Sequence, residues 1–240
     1  MELRLGLRAR TTKDVDIVFR GEPDEMLDAL EEAFAQPYGS FSFRRKGPIE
    51  DIRETGSRRL SVQVGFAGRD WQTLQVEVAR PEAAETELVA VAIGIADFKL
   101  DGPEQVACIS LRYQIAQKIH AVTEQPSGRA NLRYWDLIDL ILLSEMLGDD
   151  LVEVREACVE TFAGRNLHGW PPELVVPEDW REPYAMTAKE LETNLPGDVD
   201  AAAKEVRAFI AAIDGANRRR SDTSRSRAAR RRPEARRSGP

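Results

Sequence analysis

Two carboxylates, Asp14 and Asp16, stand two residues apart at the start of the run Asp14-Val15-Asp16-Ile17-Val18. The alternation of acidic and apolar residues predicts a β-strand over Val15 to Phe19, with both acids projecting to the same side. Carboxylates placed in this way are suitable ligands for one or two hard cations such as Mg²⁺. The same pattern is also typical of a solvated strand edge, so the spacing alone leaves both interpretations open.

A third carboxylate, Glu77, lies in a second alternating run, Leu74-Gln75-Val76-Glu77-Val78. If the two runs form neighbouring strands, Asp14, Asp16 and Glu77 would surround the same space. Three carboxylates that hold Mg²⁺ are the usual apparatus for activating a hydroxyl and clamping a triphosphate in nucleotidyl transfer. The acids therefore predict a metal site that would serve this reaction.

Two apolar helical segments in the second half of the chain carry isolated charges. Lys118 is a lone cation on an otherwise apolar helix, and a buried lysine is costly unless it has a partner. Arg133, Asp136 and Asp139 follow one another at intervals of three residues, so they share one stripe of their helix. Lys118 and Asp136 either form a salt bridge that joins two helices or belong to a site.

These residues must be positioned by a fold that mixes helices and strands. After the first strand, an apolar stripe predicts a helix over Asp24–Ala35. Extended segments follow, and the polar break at Gly68-Arg69-Asp70 predicts a hairpin. The extended segments are Phe41–Arg45, Ile49–Ile52, Arg59–Gly68, Trp71–Val78 and a short edge strand at Val89–Ile95.

The second half of the chain is helical by pattern, so the fold class is α+β, with a mixed sheet followed by a helical lobe. Helices are predicted at Pro103–Val122, Asn131–Leu147 and Leu151–Phe162, then a proline-rich loop at Trp170–Tyr184 and one or two helices within Thr187–Asp214. The predicted domains are an α/β core over residues 1–100, a helical lobe over 101–217 and a disordered tail over 218–240.

The composition excludes several classes of protein. Ten arginines and two acids give residues 218–240 a net charge of +8, so residues 1–217 carry −15 of the total of −7. Nucleic acid would therefore meet repulsion over most of that part of the chain. Only two cysteines are present, which argues against a disulfide framework or a zinc site and favours a reducing cytoplasm. No apolar stretch approaches the roughly 20 residues that span a bilayer, and the charged run Met1–Arg10 has no apolar region of the kind that predicts a secretory signal.

Four segments in order resemble the nucleotidyltransferase-fold toxin family that includes the AbiEii abortive-infection toxins. The run from Arg10 through Thr12 to the Asp14 and Asp16 pair is similar to the first family signature. Leu74–Val78 looks like the family's second acidic strand, and Ile115–Ala121 looks like its lysine-containing helix. Arg133–Leu140 looks like its arginine–aspartate–aspartate helix.

The resemblance implies a nucleotidyltransferase (polymerase-beta-like) fold and a role for each of these segments. Asp14 and Asp16 would bind Mg²⁺, and Glu77 would be the third acid or a partner of the attacking hydroxyl. Lys118 would contact the phosphates of an NTP, and Asp136 would orient Lys118 or the acceptor. The implied acceptor is RNA, particularly the 3′ end of tRNA, and the implied partner is a cognate antitoxin protein.

The same resemblance assigns smaller roles near the start of the chain. Arg10 and Thr12 would contribute to nucleotide binding, although Arg10 is nearly as well explained as a surface residue. The family places a Gly-Gly or Gly-Ser pair upstream to cradle the triphosphate, and only Gly6 precedes Arg10 here. We therefore expect the chain as given to have little activity unless it is extended. Two alternatives stay open at this point: an inactive binding protein with the same fold, and a transferase that modifies small molecules such as antibiotics.

Overall fold

The computed structural model describes residues 1–9, 14–21, 25–36, 38–52, 56–79, 85–91, 100–125, 133–148, 151–191 and 193–229, the last of these from residue 217 by the backbone alone. The chain divides into two compact units, Met1–Cys108 and Ile109–Pro240. The first is built on a mixed sheet and the second on helices. The predicted α+β fold class is confirmed.

The first unit contains a four-stranded sheet with the strand order β1-β4-β3-β2. Strand β1 runs parallel to β4, whereas the β2–β3 and β3–β4 pairs are antiparallel. Strands β5 and β6 form a separate two-stranded sheet. The elements are α1 (Glu2–Leu5), β1 (Asp14–Val18), α2 (Glu25–Ala35), β2 (Phe41–Ile52), β3 (Ser57–Phe66), β4 (Arg69–Ala79), β5 (Thr86–Ala90) and β6 (Gln105–Ile109), with a 3₁₀ turn at Gly6–Arg8.

The four-stranded sheet has one apolar face, which packs against α2. Its buried residues are Met26, Leu60, Val62, Val76 and Val78, and Ile17, Phe19, Leu27, Leu30 and Phe34 pack around them. Each fully buried side chain of this kind contributes about 1.5–3 kcal/mol of hydrophobic stabilisation. Because side chains alternate along a strand, the residues between these apolar positions are fixed on the opposite, polar face.

The hairpin between β3 and β4 turns at Ala67 and Gly68. Both residues have positive φ, 50° and 77°, as two-residue hairpin turns of type I′ require. The sequence predicts this hairpin correctly, although it places the break one residue later. The two weak segments predicted at Phe41–Arg45 and Ile49–Ile52 are joined in one strand, β2, whose pairing with β3 shifts in register between Lys46 and Glu50.

The second unit is a group of helices around a continuous apolar core. The helices are α3 (Leu111–Thr123), α4 (Tyr134–Met146), α5 (Leu151–Arg165), α6 (Arg181–Glu190) and α7 (Val199–Ala229), with a 3₁₀ turn at Glu178–Trp180. Its fully buried residues include Ile115, Ile119, Leu137, Leu140, Trp180 and Ile213. Helix α4 is apolar on nearly every side, which explains its burial over most of its length.

Three predictions for this half need correction or comment. The helix predicted from Pro103 begins only at Leu111, because residues 105–109 form β6 by pairing with β5, a long-range contact that helical spacing does not reveal. The predicted loop Trp170–Tyr184 contains the start of α6, because Pro183 occupies its first turn, where proline is tolerated. Helix α7 continues past Arg218 to Ala229, through a run in which five arginines and two alanines favour a helix. Residues 230–240 lie outside the described residues.

Among the described residues, no helix has both the length and the apolar character needed to cross a membrane.

Candidate active site

The two aspartates lie on the polar face of the sheet, at its β1 edge. Parallel pairing places Asp14 opposite Gln75 and Asp16 opposite Glu77, and all four residues face the same side. Ile17 points the other way and packs against the core, which holds β1 in this register. Asp14 and Asp16 are both exposed, so their carboxylates are accessible to a ligand.

Glu77 is held by two neighbours from β3. Ser57 Oγ donates a hydrogen bond to Glu77 Oε1 over 2.5 Å, and Arg59 Nη2 donates one to Oε2 over 2.8 Å. Arg59 and Glu77 are direct partners in the β3–β4 register. The hydrogen bond to Glu77 and the charges of Glu77, Asp14 and Glu50 raise the pKa of Arg59 above its ordinary value. The guanidinium therefore lies in the field of both strands that carry the acids.

A row of side-chain hydrogen bonds extends this polar face along the hairpin. Gln75 Nε2 donates to Ser61 Oγ over 3.0 Å, and Thr73 Oγ1 donates to Gln63 Oε1 over 3.0 Å. Gln63 is buried, and its amide also donates to the backbone oxygen of Gln72. These bonds fix the two central strands against each other and so give the acid-bearing part of the sheet a firm base.

The three predicted acids share a face, but their side chains do not form a closed cage. Across the described ranges, no three Asp, Glu, His or Cys side chains are gathered closely enough to hold a metal ion. The donor types are nevertheless those that a hard divalent cation prefers. Asp14 and Asp16 are exposed to such an ion, whereas Glu77 is turned toward Arg59 and Ser57.

In the second unit, Lys118 on α3 forms a buried ionic cluster with two aspartates of α4. Lys118 Nζ lies 2.9 Å from Asp136 Oδ1 and 2.6 Å from Asp139 Oδ2. The side chains of Lys118, Asp136 and Asp139 are 17%, 6% and 0% exposed. Burial by itself would lower the pKa of Lys118, but the charges of Asp136 and Asp139 together raise it. Lys118 is therefore a fixed ammonium ion.

The arginine of the predicted stripe contributes little to this cluster. Arg133 Nη1 lies 3.6 Å from Asp136 Oδ2, and its side chain is largely exposed. An exposed ion pair at that distance is worth about 0–1 kcal/mol. The salt bridge considered from the sequence is present, and Asp139, which the sequence places only on the stripe, is its second acceptor.

His120 on α3 is fully buried. Its ring lies 4.9 Å from that of Phe162 and 4.5 Å from that of His168. Burial, with the nearby Arg165 and His168, lowers the pKa of His120 to about 4. It is therefore neutral and packed inside the helical unit.

The structure adds Ser57, Arg59 and Asp139 to the residues predicted from the sequence. The turn alone would not have identified Arg59, because it would place Arg59 opposite Val76, and the register shift between Val64 and Gly65 is what places it opposite Glu77. Arg10 and Thr12, predicted to bind nucleotide, lie outside the described residues.

One known family matches most of the chain. The family model described as nucleotidyl transferase AbiEii toxin, type IV TA system, matches residues 1–215. The matched region includes both acid-bearing strands and the helices of Lys118 and Asp136. No curated protein is similar enough in sequence to match the chain.

Proposed function

Because the chain belongs to the AbiEii family of nucleotidyl transferase toxins of type IV toxin–antitoxin systems, we propose that it transfers a nucleoside monophosphate from an NTP to an acceptor. The single observation that supports this best is the placement of Asp14 and Asp16 on one exposed face, in register with Glu77 on the adjacent strand. A solvated strand edge would not require a third acid at the matching position.

We propose Mg²⁺ as the cofactor, with Asp14 and Asp16 as the residues that would hold it. Both are hard oxygen donors, and both are accessible on the same face. When bound there, Mg²⁺ supplies charge neutralisation for the triphosphate and helps to activate the acceptor hydroxyl. Asp14 and Asp16 would hold the ion on this exposed face, where it would help to orient the nucleotide.

In the proposed reaction, an acceptor hydroxyl oxygen forms a bond to the α-phosphorus. The bond from that phosphorus to the bridging oxygen breaks, and pyrophosphate leaves with the electron pair. The hydroxyl proton goes to a base, for which Glu77 is the candidate if it does not itself bind the metal. Glu77 already accepts a hydrogen bond from Arg59 on one of its two oxygens.

We propose that Lys118 contacts the nucleotide phosphates and that Asp136 holds Lys118 in place. The raised pKa of Lys118 supports a permanent positive charge, which suits a phosphate contact. RNA, in particular the 3′ end of tRNA, is the proposed acceptor. A cognate antitoxin is the protein partner that the family implies.

A second function has one observation in its favour. Lys118 already has two buried carboxylate partners, and Glu77 already has a cation and a hydroxyl. Both groups are thus satisfied as purely structural elements, as they would be in an inactive protein that binds a partner through the same fold. A transferase that modifies small molecules shares the reaction chemistry and differs only in its acceptor.

Nucleotide binding and transfer together test the proposal. NTPs would be titrated calorimetrically with Mg²⁺ into the wild type, the double variant Asp14→Asn/Asp16→Asn and the control Asp28→Asn, which changes an exposed acid on α2. Transfer from an α-labelled NTP to tRNA would be followed in parallel. We expect the double variant to lose transfer by on the order of a hundredfold, because metal contacts supply several kcal/mol of charge stabilisation.

The control should match the wild type in both assays. Absence of Mg²⁺-dependent nucleotide binding in the wild type would contradict the proposal and favour the inactive binding protein. Normal binding, with transfer to a small molecule but not to RNA, would support the other alternative.

A further inference from the structure

Arg59 is a cation placed within the group of acids that the proposed function assigns to metal binding. It lies on β3 directly across from Glu77, donates to Glu77 Oε2 over 2.8 Å and experiences the charge of Asp14. Its side chain is about half exposed. An arginine in this position affects every charge that enters the site.

The contacts of Glu77 compete with a role as third metal ligand. One carboxylate oxygen accepts from Ser57 and the other from Arg59. A guanidinium is permanently charged and forms a strong, directional bond with a carboxylate. A divalent cation that recruits Glu77 must therefore compete with Arg59 for this carboxylate, and the guanidinium charge also repels that cation.

Holding the hairpin together does not require this ion pair. Strands β3 and β4 are paired along their whole length, from Arg58 opposite Val78 to Phe66 opposite Arg69. Their inner faces also share the buried Leu60, Val62 and Val76. A half-exposed ion pair adds little to such a hairpin, so its position beside the acids is the feature that needs an explanation.

We propose that Arg59 is a positioning residue that competes with the divalent cation for Glu77 and moves to the triphosphate when the nucleotide binds. This inference rests on the proposed function. Bare metal would bind weakly, because Arg59 opposes it. A metal ion that arrives with a triphosphate brings negative oxygens that give the displaced guanidinium a new partner, to which its planar fork is well matched. The site would thereby favour the metal–nucleotide complex over either component alone.

The proposal predicts opposite effects on two binding constants when Arg59 is replaced. In Arg59→Gln, Mn²⁺ alone should bind about tenfold more tightly, the effect expected for removing one unit charge a few ångströms away at a protein surface. At saturating Mn²⁺, α,β-methylene ATP should bind about tenfold more weakly, because one phosphate contact is lost. A general folding defect would weaken the binding of both Mn²⁺ and the analogue, so opposite changes in the two affinities exclude such a defect.

The experiment measures free Mn²⁺ by electron paramagnetic resonance and analogue binding by calorimetry, using the full chain. The matched control is Arg58→Gln, which removes the same charge from the adjacent residue, a partner of Asp51 on the other face of β3. It should leave both constants within about twofold of the wild type. Arg59→Lys, which keeps the charge but loses the fork, should bind Mn²⁺ like the wild type and the analogue more weakly.

A double-mutant cycle with Glu77→Gln tests whether Arg59 acts through Glu77. If it does, Arg59→Gln should tighten Mn²⁺ binding less when Glu77 is already neutral, because only the direct repulsion between Arg59 and the ion is then removed. An unchanged tightening in that background, or equal Mn²⁺ affinities of Arg59→Gln and the wild type, would overturn the inference.

Failure of the inference is distinguishable from failure of the proposed function. If Asp14→Asn/Asp16→Asn abolishes Mn²⁺ binding but Arg59→Gln does not alter it, the metal site stands and the inference is wrong. If the wild type and Arg59→Gln bind Mn²⁺ no more tightly than Asp14→Asn/Asp16→Asn does, the proposed function fails and the inference fails with it.

Discussion

Replacing Lys118 by methionine should strongly destabilise the helical unit. Methionine preserves the length of the side chain but leaves Asp136 and Asp139 buried without their shared cation. Removing one partner from a buried ion pair costs about 3–5 kcal/mol, because an uncompensated charge remains in a poorly polar environment. Two carboxylates depend on this one ammonium ion, so the upper half of that range is expected.

Burial of the charges is the main source of this cost. Arg133→Met provides the matched control, because Arg133 approaches the same Asp136 at 3.6 Å but is largely exposed. Its loss should cost less than about 1 kcal/mol. Urea unfolding followed by circular dichroism at 222 nm measures both values, with the midpoint and slope fitted for each variant.

Asp139→Asn completes a cycle with Lys118→Met. Alone it removes the shorter of the two contacts, at 2.6 Å, and in the double variant it also removes one of the stranded charges. The double variant should therefore be more stable than the sum of the single effects predicts, by about 1–3 kcal/mol. Strict additivity, or a cost below about 1 kcal/mol for Lys118→Met, would refute the argument from burial.

Two further predictions concern the same unit. Because the pKa of His120 is lowered to about 4 from an ordinary 6.5, the unfolded chain takes up its proton first as the pH falls, so stability is complete above pH 6.5 and declines toward pH 4. Between pH 6.5 and 5 the wild type should lose about 2 kcal/mol that His120→Gln does not lose, measured by urea unfolding at each pH, and equal losses would contradict this. Leu137→Ala, at a fully buried position of α4, should lower the free energy of unfolding by about 2–5 kcal/mol. The control Leu167→Ala, at an exposed position, should change the melting temperature little. Similar melting shifts for the two variants would be evidence against this description of the core.

The sequence predicts the elements whose signal is local. The alternation around Asp14 and Asp16 predicts β1 to within one residue, and the apolar stripe predicts α2 equally well. In both cases the pattern repeats within a single element, so no information about distant parts of the chain is needed. The same holds for the hairpin, whose strands are joined by a two-residue turn.

The elements that the sequence misses depend on distant partners. Residues 105–109 continue the apolar spacing of the following helix, and only their pairing with β5 makes them a strand. Similarly, the alternation around Glu77 predicts a strand but not that Arg59 and Ser57 occupy both carboxylate oxygens. The candidate acids can thus be found from the sequence, whereas the hydrogen-bond partners of Glu77 depend on the strand register.

For Lys118 the sequence allows a salt bridge or a site role, and the geometry shows the salt bridge without choosing between them. A lone lysine on an apolar helix predicts a partner but does not say how many. The second acceptor, Asp139, is three residues beyond Asp136 and therefore on the same side of α4. Its participation depends on how closely α3 and α4 pack, which the sequence does not specify.

Strand β1, which carries the two aspartates, is an edge strand, and β4 is its neighbour in the four-stranded sheet. A strand held along one side can detach while the rest of the protein stays folded, since local opening costs less free energy than global unfolding. Amide hydrogens of residues 14–18 should therefore exchange with solvent faster than those of the central β3. A ligand that engages Asp14 and Asp16 together with a residue of β4 would stabilise this strand locally. The fraction of ligand bound and the slowing of amide hydrogen exchange in β1 would then report the same equilibrium.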